Sequence, residues 1–346
     1  MKLLEFDYHL PPELIAQEPA AARDQSRMMV VGKTGSVLHH RHFFNFPELL
    51  QRGDTLVLNE SKVIPARLFG KKETGAAIEV LLLIRSAESP DNQPVWEVLL
   101  RPAKRVRTGT VLTFDGGGRG KILERISEKK WLVEFQSDLP FDAFLDRYGS
   151  TPLPPYINRK PEDAGQQHDR ERYQTVYAIQ PGSVAAPTAG LHFTPEILQQ
   201  IEALGVTIAR VTLHVGYGTF VPIEAETVEE HIMESEYFEI SPETAAILSA
   251  SRRVVAVGTT STRVLESVAD EQGKISATTG YTKLFIYPGY RFKRVNALLT
   301  NFHLPKSSLY LLTSAFGGTE LIRKAYAEAI RERYRFYSYG DCMFIS

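Results

Sequence analysis

PLPPYINR, residues 152–159, divides the chain into two textures, and the fold turns on that division. Pro152, Pro154 and Pro155 hold the backbone extended and exclude helix. Upstream, from about Ala66 to Gln136, the pattern is one of short strands with turns: ARLFG, IEVLLLI, VWEVLLR, TVLTF, GKILERI and KWLVEF. Within it DGGG, Asp115 to Gly118, signals a hairpin, because glycine accepts the positive φ of a tight turn. Strands at this spacing with almost no helix predict a small antiparallel β-barrel.

Downstream, strands alternate with helices. Thr194-Pro195-Glu196 reads as an N-cap, a proline at the first helical position and an acid in the first turn, with Gly205 closing the helix. The β-branched run VTIARVTLHV, 206–215, follows as a strand. Ser241-Pro242-Glu243 repeats the start signal, and VVAVG, 254–258, reads as a buried strand turning through TTSTR into another helix. Two last helices are expected over roughly Ser308 to Phe316 and Glu320 to Tyr334. The first 60 residues contribute RMMVVG and TLVLN, strand-like runs that need partners. The fold class is therefore α/β. Residues 1–65 and 152–346 form a discontinuous, barrel-like α/β domain, interrupted by a β-barrel domain over 66–151.

Composition narrows the function. The chain has 346 residues, is 43% hydrophobic, and sets 40 Lys and Arg against 41 Asp and Glu, so no overall basic field marks a nucleic-acid binder. A partner of that kind would have to meet a local patch such as RPAKRVR, 101–107, which reads equally well as a solvated strand end. The single Cys342 excludes an intramolecular disulfide and any CxxC zinc site. No stretch approaches the roughly 20 apolar residues of a membrane span, and Glu5 and Asp7 interrupt the place of a signal peptide's apolar region. A soluble, cytoplasmic protein is expected.

GSVAAPTAGLHFT, 182–194, carries no Lys, Arg, Asp or Glu and ends its small-residue run beside His192. VVAVGTTSTRVLES, 254–267, places backbone N–H groups and hydroxyls at a helix start, where a carboxylate or phosphate could sit. It is neither GxGxxG nor GxxxxGK[ST], and capping hydroxyls account for it as well. Arg263, one turn in, could pair with a bound anion or with a neighbouring acid. His39, His40 and His42, and His231 near Glu234 and Glu236, lack helical metal-ligand spacing, and no metal is expected. His192, His214 and His303 sit beside Gly- or Pro-containing loops, as structural or site residues. Asp24, Glu236 and Asp341 read as salt-bridge partners or as acids tuned by burial. RERYRFYSYGD, 331–341, interleaves Arg331, Arg333 and Arg335 with Tyr334, Phe336, Tyr337 and Tyr339. Such rings could stack unpaired RNA bases or belong to a helix running into a buried strand.

Taken together, LIAQEPAAARDQSRMMVV, NESKVIPARLFG, WEVLLRPAKRV, RYQTVYA, GSVAAPTAGLHFT, TLHVGYGTF, VGTTSTRVLES, FIYPGYRFKRVNALLTNFHLPKS and YRFYSYGDCMFI resemble the motifs of the S-adenosylmethionine:tRNA ribosyltransferase-isomerases of queuosine biosynthesis, in order and along nearly the whole chain. The resemblance implies an α/β domain with an inserted β-barrel. It also implies transfer and isomerisation of the ribosyl portion of S-adenosylmethionine onto 7-aminomethyl-7-deazaguanine at the wobble position of GUN-anticodon tRNAs. Epoxyqueuosine in tRNA, adenine and methionine would be the products. S-adenosylmethionine is then a co-substrate, no metal or organic cofactor is needed, and a monomer without membrane association is expected.

This chemistry needs a base to take a proton beside the sulfonium, a neutral acceptor amine, and help for departing adenine. On the resemblance, His192 and His303 are the proton-transfer candidates. Asp24 or Asp341 partners the amine or base edge, and Arg23, Asp24 and Arg27 line the mouth. Ser183, Ala186, Pro187, Thr188, Ala189 and Gly190 form a neutral wall, which avoids stabilising the ground-state cation. Gly258, Thr259, Thr260, Ser261 and Arg263 take the methionine end or ribose, and Glu236 and Tyr290 complete the substrate-binding set. The chain departs from the family at Glu234, where His is common, and at Asn296, where Asp is common. The competing readings are a non-catalytic tRNA- or RNA-binding module and a methyltransferase, the latter disfavoured by the missing glycine-rich first turn.

Overall fold

The computed structural model describes residues 1–34, 37–88, 93–159, 166–220 and 222–346. The chain divides into two compact units: residues 1–62, 154–160 and 172–346, and residues 63–153 and 161–171.

The larger unit is built on a nine-stranded open sheet. Its order is Thr278–Thr282, Glu236–Ile240, Thr207–Leu213, Thr55–Asn59, Val254–Val257, Ala297–Asn301, Cys342–Ile345, Arg27–Gly32 and Val37–His42. The four strands from Thr207–Leu213 to Ala297–Asn301 run parallel to one another. Antiparallel pairs finish both edges. Side chains alternate between two apolar layers: Val254 and Ala256 enter one, Val255 and Val257 the other, and Met343 and Phe344 divide likewise. A strand buried on both faces reads as an uninterrupted apolar run, which is why VVAV and TLVLN lack the usual alternation.

Capping follows the expected chemistry. The Thr194 hydroxyl accepts from the Ile197 amide at 3.2 Å to open the helix Pro195–Ala203, and Gly205 follows with φ +80°. Ser241 does the same for Pro242–Ala250, and Ser307 for Ser308–Gly317. The helix Thr319–Arg331 stops three residues short of the expected Tyr334. Arg333 adopts φ +52°, which turns Tyr334 into the core against Phe302.

That burial corrects the base-stacking reading of RERYRFYSYGD. Tyr334, Phe336, Tyr337 and Tyr339 are all at most 5% exposed, and Phe336 packs among Phe302, Tyr326 and Tyr8. A stacking platform must present a ring face to its base, and the faces of Tyr334 and Phe336 are spent on protein.

The smaller unit is a closed antiparallel barrel of six strands. Around it run Lys130–Gln136, Pro94–Arg101, Ala77–Glu88, Arg67–Lys72, Val111–Phe114 and Arg119–Arg125. Leu68, Val80, Val98, Leu112, Ile122 and Val133 fill its interior. DGGG turns the hairpin between Val111–Phe114 and Arg119–Arg125, with Gly116 at φ +70° and Gly117 at +79°. In RPAKRVR, Arg101, Lys104, Arg105 and Arg107 are exposed. Among the described residues no helix is long and apolar enough to cross a membrane.

Candidate active site

The site starts where the central strand Val254–Val257 ends. Gly258 takes φ +87°, and the helix Gly258–Val268 begins at once with no side-chain cap. Ser261 and Thr262 direct their hydroxyls backward, to the carbonyls of Val257 at 2.8 Å and Gly258 at 3.1 Å. The first-turn amides have no intrahelical acceptor, the arrangement that attracts an anion.

Beside this helix start lies a cleft of about 590 Å³. Its walls come from segments far apart in sequence: Tyr156, residues 186–189, Val215 and Thr219, residues 258–260, residues 300–304, Ser307 and Leu309, and Tyr337 and Ser338. None of these is Lys, Arg, Asp or Glu. The wall loop is tied down from behind, since the buried Ser183 hydroxyl donates to the Ala185 carbonyl at 2.6 Å and accepts from the Val215 amide at 2.9 Å. Gly190 backs the same loop, where an added Cβ would lie 2.1 Å from the Tyr177 hydroxyl.

His303 lines the cleft, with Nε2 2.7 Å from the Thr300 hydroxyl. Its backbone is clamped by two phenols, Tyr326 accepting from its amide and Tyr8 donating to its carbonyl. Burial lowers its pKa to about 3, so at neutral pH it presents an uncharged imidazole. Asn301 shares the wall. Its amide nitrogen faces three acceptors, the carbonyls of Tyr337 and Asp341 and Nε2 of His192, while Oδ1 has no partner in the protein. Exchanging O and N would set oxygen against two carbonyls, so the network fixes the orientation. The Thr260 hydroxyl, also buried on this wall, is likewise unpartnered.

His192 lies outside this cleft, in an adjoining pocket of about 250 Å³ that shares Ser338 with it. Arg23 lines that pocket and donates to the Leu191 carbonyl at 3.0 Å. Burial, then the charges of Arg23 and Arg335, lower the His192 pKa to about 3.

The remaining sequence candidates take other places. The buried Asp341 carboxylate accepts the Arg27 and Arg335 amides at 2.8 Å each, tying two chain segments together, while burial raises its pKa. Arg27 donates to the Glu332 carbonyl at 2.7 Å and stacks over Tyr334. Asp24, half-buried in the turn Arg23–Gln25, lines neither pocket. Arg263 forms a buried ion pair with Glu236, the neighbouring acid of the two partners its sequence allowed. Glu236 in turn accepts the Gly216 amide at 2.9 Å, just ahead of Thr219 on the cleft wall. Tyr290 donates to Glu266 at 3.3 Å, and burial with that carboxylate raises its pKa. Among the described residues no His, Cys, Asp and Glu side chains gather in a group of three suited to a metal ion.

Sequence reading did not single out Tyr156, Thr219, Thr300, Asn301, Ser307 or Ser338. Thr300 and Asn301 carried a signal, two polar residues closing the otherwise apolar strand ALLTN.

Residues 3–345 match the family model described as queuosine biosynthesis protein. The S-adenosylmethionine:tRNA ribosyltransferase-isomerase of Syntrophus aciditrophicus (strain SB) is 57% identical, covering 100% of this chain and 99% of its own. That of Moorella thermoacetica (strain ATCC 39073 / JCM 9320) is 51% identical, with both chains fully covered. The crystal structure of S-adenosylmethionine tRNA ribosyltransferase from Thermotoga maritima is 38% identical, covers 99% of this chain and 100% of its own, and superposes with a TM-score of 0.55. An enzyme's neutral cleft, a fold shared with a solved relative and a family match along almost its full length converge: the chain belongs to the queuosine biosynthesis protein family, with the S-adenosylmethionine:tRNA ribosyltransferase-isomerases.

Proposed function

We propose that this enzyme transfers and isomerises the ribosyl moiety of S-adenosylmethionine onto 7-aminomethyl-7-deazaguanine at the wobble position of GUN-anticodon tRNAs, releasing adenine and methionine and leaving epoxyqueuosine. The observation that carries this reading is the cleft's lining, drawn from distant segments and without a Lys, Arg, Asp or Glu side chain. A carboxylate against the sulfonium would stabilise the ground-state cation and oppose its neutral ylide, whereas a neutral wall does not.

His303, an uncharged imidazole in the cleft, is the base that takes the proton from the carbon beside sulfur; the C–H electron pair stays on carbon. That pair expels the ring oxygen from the neighbouring carbon to give a vinyl sulfonium, and the freed oxygen becomes a carbonyl as adenine leaves with the glycosidic pair and gains a proton. The acceptor amine adds its lone pair to the vinyl sulfonium and loses a proton. The regenerated ylide carbon bonds to the carbonyl carbon to close the carbocycle, and the resulting alkoxide displaces methionine, which departs with the C–S pair as a neutral thioether and leaves the epoxide. The helix start at Gly258, with the unpartnered Thr260 hydroxyl, takes the methionine carboxylate. His192, in the adjoining pocket, orients Asn301 on the cleft wall through Nε2.

The test is incubation with S-adenosylmethionine and tRNA carrying the 7-aminomethyl-7-deazaguanine base, with chromatography of the small products. Adenine and methionine in equal amounts are expected. S-adenosylhomocysteine instead would make the protein a methyltransferase, and tRNA binding without either product would remove ribosyl transfer.

A further inference from the structure

We propose that the pocket beside the neutral cleft is an oxyanion site that seats a phosphodiester of the tRNA next to the reacting groups. This rests on the ribosyl-transfer reading above and gives its RNA substrate a specific anchor.

Two guanidinium groups, from Arg23 and Arg172, line the pocket, and no Asp or Glu does. In a chain whose charges nearly cancel, that is a local departure. Both forks are held in place before any ligand arrives. Arg23 Nη1 donates to the Leu191 carbonyl at 3.0 Å, and Arg172 Nη2 to the Ala20 carbonyl at 2.7 Å. Arg172 Nε, buried behind, has no partner in the protein. Pre-set planar guanidinium groups suit an oxyanion, and their rotamer entropy is already spent. Of the two, Arg23 also reaches His192, whose protonation is opposed first by burial and then by the charges of Arg23 and Arg335.

Two oxyanions belong to the reaction, the methionine carboxylate and an RNA phosphate. The uncapped helix start and the Thr260 hydroxyl meet the carboxylate inside the cleft, where the sulfonium must lie. The cationic pocket is separated from that cleft by the shared Ser338 wall. A nucleotide held there could pass its base toward the cleft.

The experiment measures binding without turnover. A fluorescein-labelled anticodon stem-loop RNA with a GUN anticodon is titrated by anisotropy at several KCl concentrations, and S-adenosylmethionine alone by calorimetry. Arg172→Gln and Arg23→Gln should each weaken RNA binding about tenfold and lower the slope of log K against log salt by about 0.7, the value for one single-strand phosphate contact. Affinity for S-adenosylmethionine should stay unchanged, and Arg172→Lys should keep the wild-type salt slope. Weakened S-adenosylmethionine with unchanged RNA binding would make this the carboxylate site and overturn the proposal. Unchanged binding of both would overturn it too. If Arg172→Gln melts early, Arg23→Gln, on a different segment, decides. Adenine release plays no part in these readouts, so a failure of the ribosyl-transfer reading is scored separately.

Discussion

His303 and His192 show how burial sets chemistry at the scale of one residue. Each has its pKa lowered from 6.5 to about 3. Between those values the unfolded chain binds more protons than the native one, so both residues make stability rise with pH. Their contribution is complete above about pH 6.5 and is lost as pH falls toward 3. Asp341 acts in the opposite direction, because burial raises its carboxyl above 3.8 and its ionisation costs stability as pH rises through that raised value. His303→Gln should therefore flatten the acid limb of urea-unfolding stability between pH 6.5 and 4. The same substitution should lower turnover by roughly 10²- to 10⁴-fold, the range of a lost general base, with affinity for S-adenosylmethionine retained. Adenine release at wild-type rates would remove His303 as the base. Of the cleft's lining, His303 was assigned on the family resemblance, whereas the neutral loop 186–189 and the helix start 258–260 were legible in sequence because glycine turns and small residues signal close backbone approach. Asn301 was not, since an asparagine at a strand end looks like any turn former until its neighbours are known.

Elements follow local rules closely here. The Thr194, Ser241 and Ser307 hydroxyls cap the helices their sequences announce, and DGGG turns its hairpin. The helix Gly258–Val268 follows a different rule, for it opens on a left-handed glycine and no cap. A Cβ there would meet only ordinary contacts, 3.4 Å to the Thr260 hydroxyl and 3.7 Å to Ala189, so φ alone sets the cost. Gly258→Ala should lose about 1–2 kcal/mol in urea unfolding, and it should weaken S-adenosylmethionine binding by tilting the first-turn amides. Unchanged affinity would separate the helix start from the methionine carboxylate. The early end of Thr319–Arg331 lay beyond local reading, because helical periodicity runs through Tyr334 and only the demand for a ring beside Phe302 breaks it.

Across the whole molecule, one sheet with two buried faces decides which residues can meet. The aromatic run 334–339 belongs to that core, and Phe336 is fully buried within it. Phe336→Ala should cost about 3–5 kcal/mol, the usual penalty of an aromatic cavity, measured by urea unfolding. A loss of RNA affinity with native stability would instead restore these rings as a stacking surface. Composition, turn chemistry and hydrophobic period determined by themselves the α/β class, the inserted barrel, the caps and the uncharged character of the 182–194 loop, because each is a short-range property of neighbouring residues. Only the tertiary structure decided that Tyr156, Ala189, Thr260, Asn301, His303 and Ser338 enclose one cleft, and that His192, Arg23 and Arg172 stand in the next. Those residues come from separate strands and loops, and parallel strand order, which no local pattern encodes, is what brings them to the same end of the sheet.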